Sequence, residues 1–186
     1  MSPKTDPKPE VFVTRRLSQE VWDKLITHAD AELWDYETPP PYEILLEKVK
    51  GKSGLLCLLT DRIDARLMDA GSDLKVISQI AVGYDNIDVA AAVQRGIKIG
   101  NTPGVLTDAT ADFTFALLMA AARRIGEGID YVRSGKWQTW GLTTLLGQDV
   151  YDATLGIIGF GRIGQAVAQR AKGFNMKILY YDRDRD

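Results

Sequence analysis

Apolar residues come in two rhythms that take turns along this chain. Short, nearly continuous apolar runs predict strands: "VFVT" (11–14), "AELWDYE" (31–37), "GLLCLLT" (54–60), "LKVISQIAV" (74–82) and "IKIGN" (97–101). The third is apolar throughout, which suits a parallel strand covered on both faces. Between the runs, apolar positions fall three and four apart among charged ones, and this predicts helices. "SQEVWDKLITHA" (18–29) is the first, with Ser18 as its cap and Val21, Leu25 and Ile26 on one face. "PPPYEILLEKVKG" (39–51) starts after its prolines and stops at a glycine. "DARLMDAG" (64–71) and "IDVAAAVQRG" (87–96) follow. Strand and helix in turn, joined by short connections, predict an α/β fold with a doubly wound parallel sheet.

At Thr102-Pro103-Gly104 the rhythm changes. "TDATADFTFALLMAAARRIGEGIDYVRSGKW" (107–137) is apolar almost all round in its middle, which predicts one long buried helix joining two domains. Thr107 is its expected cap, and Asp108 and Asp112 complement the positive end of the helix dipole. Ala116, Ala120, Ala121 and Ala122 leave room for another element to approach closely. The expected division is a first domain over 1–101, with a disordered tail over about 1–9, and a second part over 102–186. The strand–helix alternation then resumes. "ATLGIIG" (153–159) reads as a strand. A helix runs from Arg162 with Ile163, Val167, Ala171 and Phe174 on one side, and "MKILYYD" (176–182) is a second strand.

Composition narrows the function classes. The formal charge of -2 and the absence of basic clusters beyond "ARRI" and "VTRRL" argue against a nucleic-acid surface. The single Cys57 lies in an apolar run, so a buried structural thiol is expected and no disulfide within one chain. "MSPKTDPKPE" has no apolar core to act as a signal, and the longest apolar run, "FALLMAAA", is too short to span a bilayer. The expectation is a cytoplasmic protein without a membrane span. No metal site is expected either.

One motif carries chemistry. Gly159-Phe160-Gly161-Arg162-Ile163-Gly164 lies between a strand and a helix, and Asp182 follows Gly164 by eighteen residues at the end of the next strand. That is the context a dinucleotide fingerprint requires. Gly159 permits the tight turn, Gly161 lets a diphosphate approach the backbone, and Gly164 lets helix and strand pack closely. Free N–H groups at the helix start attract the phosphates. Asp182 can accept hydrogen bonds from ribose hydroxyls and would repel a 2′-phosphate, which favours NAD. Arg183 beside it would partly accommodate that phosphate, so NADP stays open. A second stretch, "AVGYDNID" (81–88), follows a strand. Its Gly83 reads equally as a ligand crevice at a strand end or as a plain turn.

"VGYDNID", "GNTPGVLTDATADFTFALLMAAARR", "GKWQTW" and "TLGIIGFGRIGQAVAQRAKGF", in that order, resemble the D-2-hydroxyacid dehydrogenases, and most closely the glyoxylate and hydroxypyruvate reductases. The resemblance covers nearly the whole chain after its N-terminal tail. It implies a flavodoxin-like substrate domain followed by the first part of a Rossmann coenzyme domain. It implies reduction of a small 2-keto acid by a nicotinamide coenzyme, with backbone N–H groups of Val82 and Gly83 holding the substrate carboxylate. Phe160, Gly161, Arg162 and Ile163 match the diphosphate loop, Asp182 and Arg183 the ribose turn, and Thr110 a threonine near the nicotinamide end. Trp137 and Trp140 match an aromatic pair for which packing at an interface is the expected role. The long helix is implied in a homodimer.

Such a reaction needs a positive group to polarise the carbonyl and an acid to protonate its oxygen. The family supplies these from an arginine, a glutamate and a histidine downstream of the glycine loop, and those motifs are absent here. The one histidine, His28, ends the first helix, and Arg123 and Arg124 are expected to pair with carboxylates or the helix end. No catalytic residue is assigned within this chain. The expectation is the front half of a reductase, with weak NAD binding at best and no turnover alone. A dinucleotide-sensing, corepressor-like protein of the same fold is the alternative reading. A dimerising fragment without chemistry is a third.

Overall fold

The structure, a computed structural model, describes residues 7–183. The chain falls into two compact units, Met1–Pro103 and Gly104–Asp186. In the first, five strands form one parallel sheet: β1 (Glu10–Val13), β2 (Asp30–Leu33), β3 (Gly54–Cys57), β4 (Val76–Gln79) and β5 (Lys98–Gly100). Their spatial order is β2-β1-β3-β4-β5, the flavodoxin-like arrangement. Helices α1 (Gln19–His28), α2 (Tyr42–Lys48), α3 (Ala65–Ala70) and α4 (Val89–Gln94) make the crossovers.

The main core joins Phe12, Leu55, Cys57 and Ile77 of the sheet to Leu45, Leu46, Val49, Leu67, Met68 and Ala92 of the helical layer. Each fully buried large side chain there contributes about 1.5–3 kcal/mol. Two helices start on an aspartate cap: Asp64 accepts from the Leu67 N–H at 3.0 Å and Asp88 from the Ala91 N–H at 2.9 Å. Ser18, by contrast, occupies the cap position of α1 without a side-chain cap bond. The inward face of α1 also differs from the expected one. Trp22, Leu25 and Ala29 turn inward, whereas Val21 and Ile26 are exposed. A face defined by spacing alone is ambiguous by one position on a short helix. The expected tail over about 1–9 falls largely on residues 1–6, outside the described residues. Pro9 is tied to the fold, since its carbonyl accepts the Asp30 N–H at 2.9 Å.

The second unit contains α5 (Thr107–Ala122), α6 (Ile125–Arg133), β6 (Thr154–Ile158), α7 (Arg162–Ala171), a 3₁₀ turn (Lys172–Phe174) and β7 (Lys177–Tyr181). β6 and β7 pair in parallel across the α7 crossover. Ala111 and Phe115 of α5 pack against Ala166, Val167 and Ala171 of α7, with Leu155, Ile157 and Ile178 of the strands beneath. Phe115 also lies against Phe174, ring centroids 5.0 Å apart. Arg170 ties the two helices from outside, bonding Asp112 at 2.5 Å and Asp108 at 3.4 Å.

The expected long helix is two. Arg124 takes a left-handed conformation at φ 52°, where α5 ends and α6 begins. The returning chain meets the break: the Gln148 N–H donates to the Ala122 carbonyl at 2.7 Å and satisfies an acceptor at the end of α5. Gly147 makes that approach possible, because a Cβ there would collide with the same oxygen. Thr107 is the first helical residue and not the cap; Leu106 holds the cap position without a side-chain bond. Nor is α5 buried. Only Ala111 and Phe115 are, and Phe113 is 65% and Leu117 54% exposed. Its apolar character runs all round, but α7 covers one side.

Candidate functional site

The bend after β6 is shaped by its glycines. Gly159 has φ +90°, a conformation in which a side chain is strained, so the chain can turn sharply at the strand end. A Cβ on Gly164 would collide with the Gly159 carbonyl oxygen, so only glycine lets α7 begin so close to the bend. A Cβ on Gly161 would meet nothing within 4 Å. The space beside Gly161 is therefore open among the described residues.

The backbone groups of the bend divide into two sets. The Gly159 N–H donates to the Tyr181 carbonyl at 2.8 Å, and the Phe160 N–H donates to the Asp182 carboxylate. Asp182 also accepts from the Arg183 N–H at 2.7 Å. The acid at the end of β7 is thus gripped by the bend it faces. The N–H groups of Arg162, Ile163 and Gly164, in the first turn of α7, have no acceptor among the described residues. They carry the positive end of the helix dipole, which favours an anion. Phe160 itself contributes a ring stacked on Tyr180, centroids 4.2 Å apart. Ile163 packs into the unit's core, and Arg162 and Arg183 are exposed.

In the first unit, Val82 and Gly83 follow β4 by three and four residues, at the carboxyl end of the sheet. Among the described residues their N–H groups have no acceptor. The Asp85 carboxylate lies 3.6 Å from where a Gly83 Cβ would stand, so an anion here would need a compensating cation. Beneath the loop runs a buried polar network absent from the expectations. Gln79 donates to the Gly83 carbonyl at 3.2 Å and to Asn86 at 2.7 Å, and accepts from the Cys57 thiol at 3.1 Å. Asn86 donates to the carbonyls of Leu58 and Asp61. Buried Asp61 accepts from Thr14 and the Leu58 N–H and pairs with Arg15 at 3.2 Å. The one signal for it was Gln79 interrupting the apolar run "LKVISQIAV". Cys57 is fully buried, and burial, with the charge of Asp61, pushes its thiol up to about 12.

The remaining candidates belong to other elements. Thr110 is half-buried in the first turn of α5, and its hydroxyl makes no hydrogen bond among the described residues. Trp137 and Trp140 meet edge-on at 5.8 Å and line an open pocket of about 260 Å³ with Tyr131 and Leu145. His28 is exposed and bonded to the Lys24 carbonyl at 3.1 Å. It ends α1, which leads into the start of β2, so it sits at the opposite edge of the sheet from Val82 and Gly83. Arg123 pairs with Asp149 at 3.4 Å and Arg124 with Glu127. Among the described residues no group of three or more His, Cys, Asp or Glu is placed to hold a metal, and no helix is long and apolar enough to cross a membrane.

Parallel sheets with helical crossovers place this chain in the α/β class, in which sites lie at strand ends. Comparison with known proteins is more specific. Residues 11–176 match the catalytic domain of the D-isomer specific 2-hydroxyacid dehydrogenases, and the chain belongs to that family. It is 56% identical over 176 residues to the glyoxylate reductase of Korarchaeum cryptofilum, covering 94% of this chain and 53% of that protein. The glyoxylate reductase of Thermococcus gammatolerans is 50% identical over 182 residues, covering 96% and 54%. Among solved structures, the TT0316 protein of Thermus thermophilus superimposes with a TM-score of 0.87 at 46% identity, covering 95% of this chain and 57% of that one. The chain thus spans about half the length of the curated relatives it matches.

Proposed function

We propose that this chain carries the coenzyme grip and the substrate-carboxylate loop of a reductase that converts a small 2-keto acid, glyoxylate or hydroxypyruvate, to the 2-hydroxy acid. The observation that carries the reading is the open bend at Gly159–Gly164, with unpaired N–H groups on one side and an anchored Asp182 on the other. In this reading Gly161, Arg162, Ile163 and Gly164 receive the diphosphate, and Gly159 and Phe160 shape the turn. Asp182 meets the adenosine ribose, with Arg183 beside it. NAD is preferred, because the carboxylate repels a 2′-phosphate. Thr110 lies toward the nicotinamide. The unit up to Pro103 is the substrate domain, and the unit from Gly104 belongs to the coenzyme domain.

Val82 and Gly83 bind the carboxylate. The nicotinamide, when bound, supplies hydride. This chain's own residues orient the acid through two N–H groups, and no acid among them is assigned to protonate the substrate oxygen. The exposed apolar side of α5, with Phe113 and Leu117, supports a homodimer built on that helix. The sensor alternative draws no support from relatives that are named as reductases.

Titration of the 186-residue chain with NADH and NADPH, followed by coenzyme fluorescence, tests the grip. Saturable binding with NADH tighter than NADPH is expected, without glyoxylate-dependent oxidation. Absence of binding to either coenzyme would remove the assignment. Sedimentation of the same sample reads the dimer.

A further inference from the structure

Three successive carbonyls in the loop after β4 are tied down from behind. The Ala81 carbonyl accepts the Thr102 N–H at 2.9 Å, the Val82 carbonyl accepts the Asn101 side-chain amide at 2.9 Å, and the Gly83 carbonyl accepts from Gln79 at 3.2 Å. A trans peptide is planar, and its C=O and N–H point in opposite directions. Fixing the Ala81 carbonyl therefore aims the Val82 N–H, and fixing the Val82 carbonyl aims the Gly83 N–H. Both anchors, Asn101 and Thr102, come from the two residues that follow β5.

We infer that Asn101 is a positioning residue for the carboxylate loop: its amide holds the Val82–Gly83 peptide so that the Gly83 N–H faces outward, ready for a carboxylate. This rests on the reading of Val82 and Gly83 as the carboxylate loop and adds a residue to it. Asn101 acts on the loop through the Val82 carbonyl. The effect is preorganisation. A loop already held in its binding conformation loses no free energy in reaching it. The two donors are set by different anchors, so they respond differently when one anchor is removed.

The experiment follows the backbone amides of the 15N-labelled 186-residue chain by NMR during titration with glyoxylate. In the unaltered chain the Val82 and Gly83 amides shift together and saturate. Asn101→Ala should weaken binding about threefold to tenfold, the worth of one net hydrogen bond. It should disturb the free-state Gly83 amide more than that of Val82, which Thr102 still aims. Asn101→Asp keeps the shape but turns the donor into an acceptor. Measured against the unaltered chain at the same pH, it should bind poorly while ionised and recover as its carboxyl protonates, because a protonated carboxyl can donate to the Val82 carbonyl again. That comparison cancels the Asp85 carboxylate beside Gly83, which is common to every variant. A merely structural role would produce neither the unequal amides nor that recovery. If the unaltered chain binds and both variants match it at every pH, the inference is overturned. If the unaltered chain shows no shift at Val82 or Gly83, the carboxylate reading falls and the inference with it.

Discussion

The two sheets differ in how they are held. In the first unit, β1, β3 and β4 each send a large side chain, Phe12, Leu55 and Ile77, into one core that leaves each at most 1% exposed. In the second, the β6–β7 pair is half-covered beneath α5 and α7, and Ile158 on its other face is 91% exposed. A parallel pair covered on one side has little burial to stabilise it. Yet the glycine bend proposed as the coenzyme grip belongs to this second unit. Its shape is set by the backbone, through Gly159, Gly164 and the hold on Asp182, and not by a packed core. The loop at Val82–Gly83 is built the opposite way, on a buried network that reaches from Thr14 to Asn86. A loop can be held in shape by glycine sterics or by buried hydrogen bonds, and this molecule uses one in each unit.

The largest contrast comes from burial. Leu67→Ala, at a position with no exposure, should cost about 2–5 kcal/mol in urea unfolding. Ile158→Ala should change it by less than about 0.5 kcal/mol. Equal costs would mean that β6 is covered by something other than this chain.

The glycines separate folding from binding. Gly164→Ala forces a methyl against the Gly159 carbonyl and should cost about 1–3 kcal/mol as well as coenzyme affinity. Gly161→Ala meets no protein atom, so its unfolding midpoint should hold while NADH affinity falls about tenfold, roughly 1.4 kcal/mol. Unchanged affinity in the second variant would place the diphosphate elsewhere.

In the first unit, helix caps provide a smaller and pH-dependent effect. Partial burial pushes the Asp64 carboxyl up. The Tyr42 hydroxyl, the Leu67 N–H and Arg62 together outweigh it and hold the carboxyl below its ordinary range. A depressed carboxyl contributes stability above the unfolded titration at about pH 4, and that contribution is lost as pH falls through the folded value. Asn keeps a capping oxygen and loses only the charge, so Asp64→Asn should cost less than about 1 kcal/mol at pH 7, with the difference shrinking below pH ~4 in thermal melts. A small, salt-dependent effect belongs to the α5–α7 clamp. Arg170→Ala should cost about 0.2–1 kcal/mol, less at high salt, because Asp108 and Asp112 are largely exposed.

Much of this was legible beforehand because it is written in local sequence. The alternating apolar runs located every strand among the described residues, and the strand–glycine–helix context located the bend. The misread elements are those whose neighbours are distant in sequence. Nothing in 107–137 announces that Gln148 returns to close α5 at Ala122. Spacing could not tell whether Leu25 or Ile26 faces inward, and an all-apolar helix reads as buried whether or not a partner covers it.

The sequence by itself determined the class of fold, the order of its elements and the residues able to form the glycine bend, since period, turn chemistry and steric tolerance belong to each segment alone. Only the tertiary structure decided which donors stay unpaired. Whether the N–H groups of Val82 and Gly83 face outward depends on Asn101 and Thr102 arriving from the next strand to claim the carbonyls. Hydrogen bonds between segments that far apart follow from how the chain packs, and residue pattern carries no record of them.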